Sequence, residues 1–143
     1  MSTDLPDGYE ISADPDRLDL AVIHEWLSKD AYWAMGRSRE KQDAAIANFL
    51  NFGVYDSSTG AQLGYARVVT DQATFAWLCD VYVARNGRGK GLGHALVNAV
   101  CEHLEPYGLR RVLLVTADAH AIYAKSGFAA LEKPEKWMTR GAQ

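Results

Sequence analysis

The sequence has little cysteine, no long apolar run and no tract of positive charge. Its two cysteines, Cys79 and Cys101, stand alone among apolar neighbours, without histidines at metal-ligand spacing. We therefore expect free thiols in a reducing compartment and no bound metal. No apolar stretch approaches the ~20 residues that span a bilayer, and residues 1–7 lack both regions of a secretion signal. These absences predict a cytoplasmic protein with no membrane partner.

The charge pattern excludes one class of partner and supports a folded domain. The 15 Lys and Arg residues are scattered along the chain, and the formal net charge is −3. A basic footprint for nucleic acid is therefore missing. The mild acidity is compatible with a cationic substrate, although net charge is a weak guide to specificity. With 48% of its residues hydrophobic, the chain can bury a core, and we expect one domain over residues 1–143.

The first 51 residues carry the spacing of two amphipathic helices. Asp14 followed by Pro15 is a typical helix start, and apolar residues then recur at helical spacing up to Leu27. The segment 31–37 interrupts this pattern. Ser38 is predicted to cap a second helix, which ends near Asn51.

The spacing after residue 51 is that of strands, followed by a return to helix. A hairpin, a long central strand, a helix from Leu92, a short strand buried on both faces, a last helix and a short terminal strand are predicted in this order. The strand segments are residues 52–55, 62–70, 74–83 and 111–116, and the last helix is 119–126. The fold class is therefore α/β of the mixed (α+β) kind, with a mostly antiparallel central sheet flanked by helices.

The most informative segment is the glycine-rich turn in residues 81–96, VYVARNGRGKGLGHAL, which joins the central strand to a helix. Alternate glycines from 87 to 93 allow successive backbone N–H groups to converge on one anion, and the helix adds the positive end of its dipole. Arg85, Arg88 and Lys90 place cations at the rim. The segment predicts a phosphate or pyrophosphate site.

Other glycine-rich turns fit this segment less well. A P-loop needs Ser or Thr after the lysine to hold magnesium, and Gly91 stands there. A dinucleotide-binding turn normally opens a parallel βαβ unit, whereas this turn follows an antiparallel meander. A plain connection with solvated charges is the remaining alternative, which the strand before the turn and the uncapped helix after it disfavour.

The segment Arg88-Gly-Lys-Gly-Leu-Gly93 resembles the Arg/Gln-x-x-Gly-x-Gly/Ala signature of the GNAT superfamily of N-acetyltransferases. Residues 118–128, DAHAIYAKSGF, are similar to the second motif of that family, a helix that bears Tyr123 and ends in Gly-Phe. The helices and strands also follow the family's order. The chain is thus identified as a small, single-domain member of bacterial type.

The resemblance implies acetyl-coenzyme A as the acyl donor, with no metal. Backbone N–H groups of the turn would hold its pyrophosphate, and the central strand would pair with the pantetheine arm where the two central strands splay apart. Many relatives carry Asn shortly before the second-motif helix, where this chain offers Thr116, Asp118 and His120. The residues expected at the coenzyme are Val81, Tyr82, Val83, Arg88, Gly89, Lys90, Gly91, Leu92, Gly93 and Asp118.

The resemblance also suggests which side chains perform the chemistry. Tyr123 is expected to protonate the departing thiolate, since a phenol remains protonated at neutral pH. Asp80 is the first candidate for the base, ahead of Asp71 and His120, unless it is a structural carboxylate bound by a neighbouring loop. Tyr32, Trp33, Arg37 and Asp71 are expected to contact the acceptor.

Two functions therefore compete. The first is an N-acetyltransferase whose small-molecule or protein amine attacks acetyl-coenzyme A directly, through a tetrahedral intermediate. The second is a non-catalytic module that binds acyl-coenzyme A as a sensor or for interaction. The sequence names neither the acceptor nor the length of the acyl group, and many relatives of this type form homodimers.

Overall fold

A computed structural model describes residues 5–141 of the protein. Residues 1–4 of the segment inspected for a secretion signal, and the last two residues of the predicted domain, lie outside this range. Five strands form one sheet in the order β1-β2-β3-β4-β5, with β4 and β5 parallel and the other pairs antiparallel. The strands are β1 Tyr9–Ser12, β2 Leu50–Asp56, β3 Gln62–Thr70, β4 Phe75–Val83 and β5 Arg111–Leu113. The predicted mixed sheet is confirmed.

Four α-helices accompany the sheet, and short 3₁₀ turns connect several of the elements. The helices are α1 Leu20–Asp30, α2 Arg39–Asn48, α3 Leu92–Leu104 and α4 His120–Ala124. None of the helices between residues 5 and 141 combines the length and the apolarity that crossing a bilayer demands.

The sheet separates two hydrophobic clusters. On one face, apolar side chains of β2, β3 and β4 pack against α3, whose buried residues recur at helical spacing from Leu92 to Leu104. On the other face, Ile23 and Leu27 of α1 and Ile46 of α2 pack against the rings of Tyr65 and Tyr82. Strand alternation thus assigns one set of side chains to α3 and the other to α1 and α2.

The predicted helix starts and ends hold only in part. Ser38 caps α2 as predicted, because its hydroxyl accepts the Lys41 N–H. Asp14 and Pro15 instead begin a 3₁₀ turn, and α1 starts at Leu20 with Asp19 as its cap. Asp14 and Asp19 both have short side chains that suit an N-cap. The packing of α1 on the sheet selects Asp19.

The strands differ from the prediction at four points. The second helix ends before Phe49, and Leu50 already belongs to β2. The strand β1 lacked a long enough pattern to be predicted. The strand β5 is only three residues long and partly exposed, since no further strand covers it among residues 5–141. The segment expected to form a terminal strand contains only the 3₁₀ turn Pro134–Lys136 within the described range.

A buried polar link fixes the end of α2 to the sheet. The Asn51 side chain donates to the carbonyls of Ile46 and Phe49 over 2.8 and 2.9 Å. Its amide oxygen accepts a hydrogen bond from the Tyr65 hydroxyl, whose ring is fully buried. The side chain of Asn51 therefore satisfies the two carbonyls at the turn from α2 to β2.

We expect Asn51→Ala to lower the free energy of unfolding by about 3 kcal/mol, because it leaves the Tyr65 hydroxyl and two carbonyls without partners in the core. Tyr65→Phe, which removes one hydroxyl, is the milder change at about 1–2 kcal/mol. Urea denaturation of both variants and of the double variant measures this coupling. Additive losses would contradict it.

Candidate active site

The glycine-rich turn leads from β4 into α3 with left-handed backbone at two positions. Gly89 and Gly91 have φ angles of +78° and +79°, which side-chain-bearing residues rarely adopt. Gly91 is the N-cap residue of α3, and no side chain caps the helix there. The first turn of α3 therefore has no side-chain acceptor for its N–H groups.

The backbone amides of this turn are available to a ligand. In the part of the chain that the structure describes, no hydrogen bond uses the N–H groups of residues 89–93. Further along the helix, the Ala95 N–H donates to the Gly91 carbonyl over 3.1 Å. Five consecutive N–H groups at the positive end of a 13-residue helix can bind an anion.

The basic side chains of the turn, which were expected at its rim, also contact the protein. Arg85 and Arg88 both contact the carboxylate of Asp30 at the end of α1. Arg88 Nε also donates to the Val83 carbonyl over 2.9 Å, and Lys90 Nζ to the Asn86 carbonyl over 3.0 Å. These contacts fix the turn to β4 and to the end of α1.

The parallel strands β4 and β5 separate beside this turn. Their pairing covers only residues 75–77 of β4 and 111–113 of β5, while β4 continues to Val83. One edge of β4 therefore has no strand partner within the described range from residue 78 onwards, and the predicted splay is confirmed. Val81 and Val83 turn their side chains towards the α3 cluster, and Tyr82 packs on the opposite face.

A cavity of about 290 Å³ lies between β4, the α1–α2 connection and the segment after β5. It brings together side chains that are far apart in the sequence. Its lining consists of Tyr32, Trp33, Arg37, Arg67, Trp77, Leu78, Cys79, Asp80, Val81, Val115, Thr116 and Tyr123. A larger cavity of about 750 Å³ beside the C-terminal segment contains none of the predicted site residues.

The buried carboxylate of Asp80 is the centre of the polar contacts in this cavity. It accepts hydrogen bonds from Trp33 Nε1 at 2.9 Å, from Arg37 Nη1 at 2.8 Å and from Arg67 Nε at 3.0 Å. Arg37 Nη1 also donates to the side chain of Gln42, which is fully buried in α2. Asp80 thus joins the α1–α2 connection to strands β3 and β4.

A β-bulge explains how Asp80 faces this connection. Tyr65 pairs with Tyr82 and Arg67 with Cys79, so Asp80 and Val81 together lie opposite Ala66. Asp80 has a φ of +53°, which is unusual for a residue with a side chain. Because the extra residue reverses the alternation, Asp80 reaches the face of α1 and α2 while Val81 packs towards α3.

The environment of Asp80 favours a structural carboxylate. From the sequence, Asp80 was the first candidate for the general base. Burial alone raises its pKa, but the hydrogen bond from Arg37 and the charge of Arg67 outweigh burial and hold the pKa below its usual value. A carboxylate that already accepts from three donors and resists protonation is a weak proton acceptor.

Tyr123 on α4 lies at the wall of the same cavity. Its ring packs edge-to-face on Phe128 with 6.0 Å between the centroids, which is the contact between tyrosine and the closing Gly-Phe of the second motif. Burial, helped by the nearby Tyr32 and Asp118, raises the pKa of the Tyr123 phenol. The hydroxyl is therefore protonated at neutral pH and available as an acid.

Cys79 is the one thiol on the cavity wall, and burial raises its pKa to about 11. A neutral thiol is a poor nucleophile at pH 7. Between residues 5 and 141, no three His, Cys, Asp or Glu side chains are grouped as metal ligands.

The structure places Tyr32, Trp33 and Arg37 beside Asp80 and Tyr123, but it separates Asp71 from them. Asp71 accepts the backbone N–H groups of Ala73 and Thr74 at the β3–β4 turn, where it does not line the cavity. This carboxylate forms the hairpin turn, a role that Asp fills through its short side chain.

The other candidates of the second motif lie near the cavity without lining it. Asp118 is exposed next to Thr116, and His120 lines a neighbouring cavity. Two residues that position the site, Asp30 and Gln42, were missed, and so was the pairing of Arg67 with Asp80. A polar side chain at a core-facing helical position was the available signal for Gln42. No local pattern indicated Asp30 or the pairing of Arg67.

Comparison with known proteins gives a consistent assignment. A model of the acetyltransferase (GNAT) family matches residues 20–128. A presumptive acetyltransferase of Gibberella zeae is 30% identical over 136 residues, which cover 82% of this chain and 77% of that protein. The crystal structure of a presumptive GNAT-family acetyltransferase from Xanthomonas campestris has a TM-score of 0.88 at 40% identity, covering 94% of this chain and 93% of the other.

A more distant structure shares the fold alone. The N-acetylglutamate synthase of Neisseria gonorrhoeae, crystallised with coenzyme A and N-acetyl-glutamate, has a TM-score of 0.69 at 18% identity. The similarity covers 92% of this chain but 30% of the synthase.

We expect Asp80→Asn to destabilise the protein by about 3–5 kcal/mol at pH 7, because it leaves two half-buried guanidinium groups without their carboxylate. The lowered pKa of Asp80 sets the pH dependence. The stabilisation from Asp80 is complete above a pH of about 4, which is the pKa of the carboxyl in the unfolded chain. The stabilisation is lost as the pH falls through the lower pKa of the folded protein. Urea denaturation from pH 7 to 3 should show the two proteins converging only below about pH 4.

Asp43→Asn is the matched control, since Asp43 pairs with Arg39 on the exposed surface of α2. It should cost less than about 1 kcal/mol. An equally small effect at Asp80 would contradict the structural role of its ion pairs.

Proposed function

Because this chain belongs to the acetyltransferase (GNAT) family, we propose that it transfers an acetyl group from acetyl-coenzyme A to a primary amine. The single observation that carries this proposal is the uncapped start of α3, where the amides of residues 89–93 are unused beside the gap between β4 and β5. A linked pair of phosphates and an extended chain are the complementary ligands for these two features.

The amides of Gly89 to Gly93 would hold the pyrophosphate of the donor, and the unpaired edge of β4 at residues 81–83 would bind its pantetheine arm. The coenzyme A in the Neisseria gonorrhoeae synthase supports this donor on a related fold. Arg88 acts by fixing the turn to β4 and α1, and Asp118 lies near enough to Tyr123 to influence the phenol. The whole of residues 1–143 would serve as one catalytic domain.

At the cavity, an uncharged amine attacks the thioester carbonyl carbon, a C–N bond forms, and the C–S bond then breaks. A backbone N–H near Val81 polarises the carbonyl oxygen. Tyr123 gives its phenolic proton to the departing thiolate and regains a proton from water after transfer. The proton lost by the amine passes to water, because Asp80 is the one carboxylate that residues 5–141 place on the cavity wall, and it already accepts three hydrogen bonds.

Cys79 takes no part in this scheme, since its neutral thiol is not poised to accept the acyl group. Direct transfer needs both substrates in one site, and Tyr32, Trp33 and Arg37 would form the wall that positions the acceptor. Asp80 is then a positioning residue, which holds Arg37 and Trp33 in that wall.

Binding of acetyl-coenzyme A is the first test. We expect Gly91→Ala to weaken binding about 10-fold, because a side chain disfavours the left-handed angle that aims the amides. Gly108→Ala is the matched control: Gly108 also has a positive φ, and an added Cβ meets nothing within 4 Å at either glycine. Both variants should lose about 1 kcal/mol of stability.

Isothermal calorimetry with acetyl-coenzyme A distinguishes the two variants. Equal affinity of Gly91→Ala and Gly108→Ala would refute the assignment of the turn. An absence of any binding to the unmodified protein would refute the proposed function.

Turnover is the second test. We expect Tyr123→Phe to lower kcat about 100-fold, because a general acid typically contributes a rate enhancement of this size. The affinity for acetyl-coenzyme A should change little. Thiol release with a panel of amines measures kcat, and Tyr107→Phe, at another partly buried tyrosine, should leave it unchanged. Full activity of Tyr123→Phe would mean that another group supplies the proton, and binding without turnover across the panel would favour the non-catalytic module.

A further inference from the structure

The acceptor cavity has a local charge opposite to that of the whole chain. Arg37 and Arg67, with side chains 18% and 14% exposed, share the single carboxylate of Asp80, which is 1% exposed. Among residues 5–141, no other Asp or Glu lines this cavity. One positive charge is therefore left over in a half-buried site, whereas the chain as a whole carries −3.

The two guanidinium groups also have unused donors. Arg67 binds Asp80 through Nε, and its two terminal nitrogens have no partner among residues 5–141. Arg37 uses Nη1 for both Asp80 and Gln42, which leaves Nε and Nη2 without a partner in the same range. None of these nitrogens is sealed from solvent. Because both residues line the cavity, these donors are accessible from it.

The arrangement holds the arginine pair in place. Asp80 and Gln42 restrict the guanidinium groups to one geometry before any ligand arrives, so little side-chain entropy remains to be lost on binding. The surrounding side chains Trp33, Trp77, Tyr32 and Val115 are largely apolar, and a charge interaction beside them is screened less than in water. A fixed fork of N–H donors in such surroundings suits a planar carboxylate.

We infer that the acceptor is an amino acid or a related amine that carries a carboxylate, and that this carboxylate binds the free donors of Arg67 and Arg37. The inference rests on the proposed function, since it names the substrate class of the same site. One surplus positive charge matches a monoanion. The same charge repels acceptors with several ammonium groups, and it favours the neutral form of the attacking amine.

The experiment compares matched pairs of acceptors in the full-length protein. Glycine, β-alanine and L-phenylalanine are each paired with their primary amides, and kcat/KM is measured by thiol release. Phosphoethanolamine supplies a phosphate in place of the carboxylate. The amides differ from the acids in the basicity of the amine, so the acid-to-amide ratio of kcat/KM in one protein is not enough. The decisive number is this ratio in the unmodified protein divided by the same ratio in Arg67→Gln.

We expect this quotient to be about 10 to 100, the contribution of a hydrogen bond between charged groups. Arg67→Gln keeps a side-chain amide that can donate to Asp80, which limits the risk of misfolding. Arg67→Lys keeps the charge without the fork and should give an intermediate value. Arg39→Gln, on the exposed surface of α2, is the control and should leave the ratio unchanged.

A quotient near 1 with intact acetyl-coenzyme A binding would overturn the carboxylate site and leave the acetyltransferase proposal standing. Preference for phosphoethanolamine over every carboxylate, or acetylation of amides alone, would overturn it in the same way. Failure of the unmodified protein to bind acetyl-coenzyme A would overturn both proposals together.

Discussion

The site depends on one buried carboxylate. Asp80 collects Arg37, Arg67 and Trp33 from three parts of the chain, and it can do so because a bulge turns it towards α1 and α2. Burying an unpaired carboxylate would be costly, so the three donors and the carboxylate require one another. The α1–α2 connection, which is a surface segment, is consequently tied to the sheet by Trp33 and Arg37.

A second constraint operates at the end of β4. The strand continues to Val83 while β5 stops pairing after Leu113, and the chain then turns into a helix that no side chain caps. Proteins normally satisfy such strand edges and helix starts internally. Both are open within residues 5–141, and the cavity lined by β4 also holds the protonated phenol of Tyr123, so the fold offers the features that the proposed donor needs.

The family assignment and the local chemistry support each other at different levels. The family identifies acetyl transfer as the type of reaction, and we propose that the acceptor is selected by side chains outside the shared motifs. Arg37 and Arg67 are such side chains, since neither belongs to the glycine-rich turn or to the Gly-Phe motif. Because both side chains share the carboxylate of Asp80, the cavity carries a positive charge. The net charge of the whole chain is negative and did not indicate a positive site.

The sequence by itself determined the features that depend on neighbouring residues: the cap at Ser38, the hairpin of β2 and β3, and the helix that begins at Leu92. These follow from local backbone preferences and from hydrophobic period. Only the tertiary structure decided that Asp71 closes a turn while Asp80 lies in the cavity, and that β5 stays short. Both aspartates have the same chemistry, and their roles differ because burial and partners arise from segments distant in the chain, which no local pattern encodes.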